Sequence, residues 1–217
     1  MRITELSLFK GDTYKLELDD GEQTFFVNST VVSDFLLTKG GELSGDKLAQ
    51  IQQADAKRKA KKRALYLLGT KQYCYKELLS KLRRTYDEDT ARYAADAMRD
   101  YGYVNDEEYA PKLAEYLIHT KHYGLRKAKY EMLHRGLDAE LVDNTLAEYS
   151  QDDICEEITE LLERKYYNKI ADHDDRRRTI AALARRGYDY NSVKRCIEQL
   201  LEELDEYEDY EENEDLD

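Results

Sequence analysis

Six of the seven residues from Lys57 to Arg63 are basic: Lys57, Arg58, Lys59, Lys61, Lys62 and Arg63, interrupted only by Ala60. On two helical turns such cations repel at i,i+4 spacing by roughly 0.2–0.5 kcal/mol per pair, so the run calls for something negative beside it. A phosphate backbone, an acidic groove on another protein and the chain's own acidic end all qualify. Further basic residues recur at a fixed interval. Lys76, Lys127 and Arg178 lie 51 residues apart, and so do Arg84, Arg135 and Arg186. Units that stack with small rotations carry equivalent residues along one edge, which makes these six, with the adjoining Arg126, a candidate basic stripe. The plainer reading is a set of solvated helix residues paired with nearby carboxylates. Arginines at helix C-termini are favoured by the dipole without any partner.

Catalytic chemistry is thin by comparison. His119 and His122 have the one-turn spacing of metal ligands, but no Cys or carboxylate cluster adjoins them in sequence, and they read as surface histidines. Gly40 and Gly45 are followed by Asp46 before Lys47, which breaks the phosphate-loop pattern. His173-Asp174 is an isolated dipeptide. The sequence thus predicts a non-enzyme with no metal and no cofactor. Cys74, Cys155 and Cys196 are odd in number and far apart, which argues against a disulfide framework and for a reducing compartment. Nineteen tyrosines dominate the aromatics. Tyrosine can stack on single-stranded bases, but Tyr116, Tyr130 and Tyr149 fall in repeat columns assigned to the core, so a half-buried packing role is expected.

The elements that must position these groups begin with strands at 3–9, 14–18 and 23–27. They are separated by Lys10-Gly11-Asp12 and Asp19-Asp20-Gly21-Glu22, which predict a three-stranded meander. Ser29 or Thr30 caps a short helix that Gly40-Gly41 closes, and Asp46 opens a longer helix to about Leu68. Beyond it an internal repeat appears. Arg84-Thr85-Tyr86-Asp87, Arg135-Gly136-Leu137-Asp138 and Arg186-Gly187-Tyr188-Asp189 share the 51-residue offset. So do the columns Ala91/Val142/Val193, Ala95/Leu146/Ile197 and Met98/Tyr149/Leu200, at the helical spacing of one buried face. The offset also aligns Leu65/Tyr116/Tyr167, Leu79/Tyr130/Ala181 and Leu82/Leu133/Ala184. The fold expected is mainly α: three tandem three-helix, helix-turn-helix-like repeats in an elongated curved array, after a small N-terminal β-meander. The divisions are a meander with short helix (1–45), a basic helix with repeat 1 (46–103), repeat 2 (104–154), repeat 3 (155–205) and an acidic tail (206–217). The tail is expected to be disordered or a frayed helix.

Composition supports this organisation. Of 217 residues, 41% are hydrophobic and 37% charged, against an ordinary charged share of ~25%, as suits a surface-rich helical array. The net charge of −13 is unevenly spread. Five basic and ten acidic groups precede residue 57, 29 and 25 lie within 57–197, and twelve acids with no base follow from Glu198. A body of +4 beside a −12 tail predicts weak, strongly salt-dependent binding to bare DNA. The longest stretch without charge, Gln23–Ser33, is far short of a membrane span. A cytoplasmic, monomeric protein with no membrane partner is the expectation.

The chain resembles the RecX family, bacterial regulators of the RecA recombinase. The resemblance is carried by Ala64–Leu82 with Lys76-Glu77-Leu78, and by Tyr101-Gly102-Tyr103-Val104-Asn105-Asp106-Glu107-Glu108-Tyr109-Ala110. It continues in Tyr123-Gly124-Leu125-Arg126-Lys127, Glu131-Met132 and Arg135-Gly136-Leu137-Asp138. It covers residues 57–200, with Leu125 where family members often have Pro. It implies a protein that binds RecA and the RecA–single-stranded DNA filament and limits its recombinase, ATPase and co-protease activity in DNA repair and the SOS response. The alternative is a stand-alone nucleic-acid-binding protein using its helix-turn-helix-like repeats.

Overall fold

Alternation of apolar residues builds three antiparallel strands, β1 (Ile3–Lys10), β2 (Thr13–Leu18) and β3 (Gln23–Asn28), in the order β1-β2-β3. Opposition of Leu6 to Leu16, of Leu16 to Phe25 and of Tyr14 to Val27 sets one apolar face. Leu16, Leu18 and Val27 bury that face with Val31, Leu37, Leu43, Leu48 and Ile51. The structure, a computed structural model, describes residues 1–214, apart from the side chains of Asp20 and of residues 204–214.

Two compact units divide the chain, Met1–Val104 and the remainder from Asn105. In the first, the sheet is followed by α1 (Ser29–Asp34), α2 (Gly45–Leu68), α3 (Tyr75–Leu82) and α4 (Glu88–Asp100). Asn28 caps α1 through Thr30 N, not Ser29 or Thr30 as expected, and the helix stops at Asp34, well before Gly40. Ser44 caps α2 through Lys47 N. Ala60 and Ala64 of α2 share one core with Ala91, Ala94 and Ala95 of α4, all fully buried. Side chains this small let the two helix backbones approach closely.

The second unit contains α5 (Asp106–Glu115), ending in a π-turn at Tyr116–Thr120, then α6 (Leu125–Arg135) and α7 (Ala139–Leu146). A second triplet follows: α8 (Gln151–Lys165), α9 (His173–Arg185) and α10 (Tyr190–Glu214). The 51-residue offset has a plain physical cause. Asp87, Asp138 and Asp189 stand at the same point, each accepting from backbone N–H groups at the start of the last helix of its triplet. Behind them Ala91, Val142 and Val193 are all fully buried.

The offset fails in the middle helices. Leu82 is buried, but Leu133 and Ala184, aligned with it, are exposed. Met132 and Leu183 are buried instead, as are Ala128 and Thr179 in place of Leu78. Arg135 and Arg185 end longer helices closed by left-handed Gly136 (φ 100°) and Gly187 (φ 93°), whereas α3 stops at Leu82 with no such glycine. The first turn is therefore one residue shorter, and its middle helix shifts by one. Tyr116 and Tyr130 are correspondingly exposed, contrary to the core role expected of them, while Tyr149 is half-buried.

One further expectation is corrected. Cys155 and Cys196, far apart in sequence, form a disulfide between α8 and α10 with Cα atoms 6.3 Å apart. Packing of the two helices brings them together, which spacing along the chain cannot reveal. Of the two alternatives expected for the acidic C-terminal run, the helical one is found as far as Glu214, where α10 ends; residues 215–217 lie outside the described residues. Among the described residues, no helix is long and apolar enough to cross a membrane.

Candidate basic interface

The basic run lies on α2, whose inner side is set by Ala60, Ala64 and Leu67. The six cations fan around the remaining surface and separate into groups. Lys57 and Lys61 place their ammonium groups 4.8 and 5.3 Å from the centre of the Tyr93 ring on α4, whose negative face offsets part of their repulsion. Lys59 is 2.6 Å from buried Asp55 and donates to the Phe26 carbonyl at 3.1 Å. Asp55 in turn accepts from Asn28 N at 3.0 Å. This pair satisfies the open edge of β3, so Lys59 has a structural role. Arg63 lies over the Tyr66 ring.

Arg58 and Lys62 are exposed. With Lys59, Lys61 and Leu65 they line a groove whose far wall is Asp12, Thr13 and Asn28. Hydrogen bonding from the Asn28 amide, with added charge from Lys62 and Arg58, holds the Asp12 carboxyl below the usual carboxylate range. On the same unit, Phe9 and Phe26 are exposed with ring centres 4.8 Å apart. Sequence reading missed this pair. The signal was the period-two alternation, which puts Phe26 on the opposite side of β3 from Phe25 and Val27.

The repeat-matched residues divide between the two units. Lys76 and Arg84 are exposed on the first. On the second, Lys127 lies over the Tyr123 ring at 4.1 Å, and Arg178 pairs with Asp175. Arg135 donates to the Tyr109 hydroxyl at 2.9 Å. Arg186 reaches the carbonyls of Lys121 and His122 at 3.3 Å, and Arg126 pairs with Asp189 at 2.8 Å. Counted from the buried residues, Lys76 corresponds to Arg126 and Arg177, so Lys127 and Arg178 stand one position further round their helices. Arg177, exposed on α9, was missed because the 51-residue offset does not hold there.

The second unit also contains a polar cluster. His122 is buried, not on the surface as its sequence context suggested, and has a left-handed backbone (φ 50°). Both His119 and His122 meet the carboxylate of buried Glu157, at 2.5 and 3.3 Å through Nδ1. Arg164 lies 3.0 Å from His122 Nε2 and 3.8 Å from Glu160. His122, Glu157 and Glu160 bring potential ligand atoms within 4.8 Å of one another. The Arg164 guanidinium among them opposes a second cation, and the network reads as the polar joint that seats α8 against the π-turn. Burial, followed by the charge of Glu157, pushes the nearby Tyr188 hydroxyl well above its ordinary pKa.

Within this unit, α6 begins directly against the end of α9. Gly124 N donates to Arg186 O at 2.9 Å, and Arg126 N to Gly187 O at 3.3 Å. A Cβ on Gly124 would stand 2.3 Å from Tyr188 N, and one on Gly187 2.5 Å from Lys127 N. Glycine at both positions allows this contact.

Successive three-helix units, each with an Asp capping its last helix, define a tandem helical-repeat protein. Comparison with known proteins gives the particular family. Residues 105–146 match the second three-helix domain of RecX, and residues 151–197 the third. The Regulatory protein RecX of Streptococcus gordonii is 27% identical over 207 residues, covering 95% of this chain and 80% of its own. That of Clostridioides difficile is 26% identical over 209 residues, covering 90% and 92%. A crystal structure of regulatory protein RecX shares the fold with a TM-score of 0.66 at 22% identity, covering 89% of this chain and 97% of its own. RecX from Lactobacillus salivarius gives 0.61 at 23%, covering 68% and 97%. The chain belongs to the RecX family of regulatory proteins.

Proposed function

We propose that this protein binds RecA and the filament that RecA forms on single-stranded DNA, and so limits filament growth, ATP hydrolysis and co-protease activity. It acts in the cytoplasm by binding alone, without a cofactor. The observation that carries this reading is the match of two successive three-helix units to successive RecX domains. A helical polymer presents the same site again and again. Linked units with modest individual affinity gain strength by engaging neighbouring sites, since each binding event raises the effective concentration for the next. Exposed Lys76 and Arg84 on one unit, and exposed Arg177 and Arg178 with half-buried Lys127 on the other, supply charges for such contacts.

The test is co-sedimentation with RecA filaments on single-stranded DNA, beside a control lacking RecA. Sedimentation only with RecA supports the proposal. Equal retention by bare DNA, abolished by salt, would favour direct nucleic-acid binding instead, a reading consistent with exposed Arg58, Lys62, Phe9 and Phe26.

A further inference from the structure

Cys155 and Cys196 are bonded across α8 and α10, 41 residues apart in sequence. Their surroundings differ. Cys196 is 1% exposed, whereas Cys155 is half-buried and opens onto a groove lined by Asp152, Glu156, Glu160, Glu163 and Arg195. Arg195 places Nη2 3.9 Å from the Cys155 sulfur. A positive charge beside a sulfur stabilises the thiolate, which is the form that reacts. One sulfur is thus reachable with a cation beside it, and the other is sheltered behind it.

We propose that Cys155 and Cys196 form a reversible thiol–disulfide modification site, oxidised by a neutral or cationic low-molecular-weight disulfide. In the oxidising direction the Cys155 thiolate attacks one sulfur of the small disulfide and expels its other half as a thiolate. Cys196, on losing its proton to solvent, then attacks the Cys155 sulfur, closes the protein disulfide and expels the second half. Two protein thiols are oxidised and one small disulfide is reduced to two small thiols. Excess small thiol runs the same steps backwards, entering at Cys155 because Cys196 is covered. The four carboxylates of the groove set the preferred charge of the reagent: they repel an anionic disulfide and attract an ammonium-bearing one. Closing the bond ties the second turn of α10 to α8, so the oxidised form holds the last three-helix unit more firmly.

The experiment uses the full chain, reduced and freed of reductant, with cystamine or oxidised glutathione as the probe. Alkylation and peptide mapping follow each cysteine. The expected result is loss of the Cys155 and Cys196 thiols together, recovery of both in excess thiol, and a thermal midpoint several degrees higher when oxidised. Cystamine should react several-fold faster than oxidised glutathione at low salt, with the gap narrowing at 1 M salt, where the screening length is about 3 Å. Cys196→Ser should trap one half-cystamine on Cys155, and Cys155→Ser should trap none. Retention of both thiols, a bond that excess thiol does not reopen, or equal rates for the two reagents at low salt would overturn the proposal. Mapping of the unsubstituted chain keeps the test decisive if either variant fails to fold.

Discussion

Replacing Gly187 by alanine tests the joint between α6 and α9. Its backbone is left-handed, at φ 93°, and an L-residue there costs roughly 1–2 kcal/mol. The added methyl would also sit 2.5 Å from Lys127 N and 2.6 Å from Lys127 Cβ. Backbone cannot swing aside as a long side chain can, so the start of α6 must retreat. Retreat stretches the bonds from Gly124 N to Arg186 O and from Arg126 N to Gly187 O, each contributing about 1 kcal/mol. Together these terms predict a loss of about 3–4 kcal/mol. Two other glycines separate the contributions. Gly102 has φ 75°, and a methyl added there would meet nothing within 4 Å, so Gly102→Ala should cost only ~1–2 kcal/mol. Gly124 has an ordinary φ of −68° but a methyl there would meet Tyr188 N at 2.3 Å, so Gly124→Ala should cost about 2–4 kcal/mol through crowding. Urea unfolding followed by circular dichroism measures all three. Equal losses at Gly187 and Gly102, or none at Gly124, would refute the close approach of the two helices.

Further outcomes follow from individual contacts. Asp55→Leu should destabilise the first unit by about 1–3 kcal/mol in urea unfolding, because it leaves Asn28 N without its acceptor; Lys59→Ala, at an exposed side chain, should cost under about 1 kcal/mol. Backbone hydrogen bonds hold the carboxyls of Asp87 and Asp172 below the ordinary value of 3.8. Their contribution is present above that value and is lost as pH falls through the lower folded value, so acid unfolding monitored below pH 4 should be shallower for the Asp87→Asn/Asp172→Asn double variant. Arg84→Glu should weaken filament inhibition while changing stability by no more than about 0.5 kcal/mol. Arg186→Glu should lower thermal stability as well, since its guanidinium reaches the Lys121 and His122 carbonyls; equal melting of the two variants would remove that structural role. Deleting residues 206–217 should raise affinity for bare single-stranded DNA at low salt, measured by fluorescence anisotropy, with the difference fading as screening increases.

Local chemistry made much of this protein legible in its sequence. Alternating apolar residues and Gly/Asp turns specify the three strands, because strand pleat and turn geometry depend on neighbours along the chain. The recurring Asp was visible for the same reason: Asp87, Asp138 and Asp189 cap helices whose first N–H groups lie only two or three residues away. Tertiary packing decided what depends on distant partners. A one-residue difference before Asp87 shifted the buried positions of the middle helix, so Met132 and Leu183, not Leu133 and Ala184, reached the core. The basic run was plain, but only the fold assigned Lys59 to the edge of β3 and Lys57 and Lys61 to Tyr93, leaving Arg58 and Lys62 outward. Folding likewise joined Cys155 to Cys196 and enclosed His122 beside Glu157, because helix packing brings together groups whose separation along the chain carries no trace of their contact.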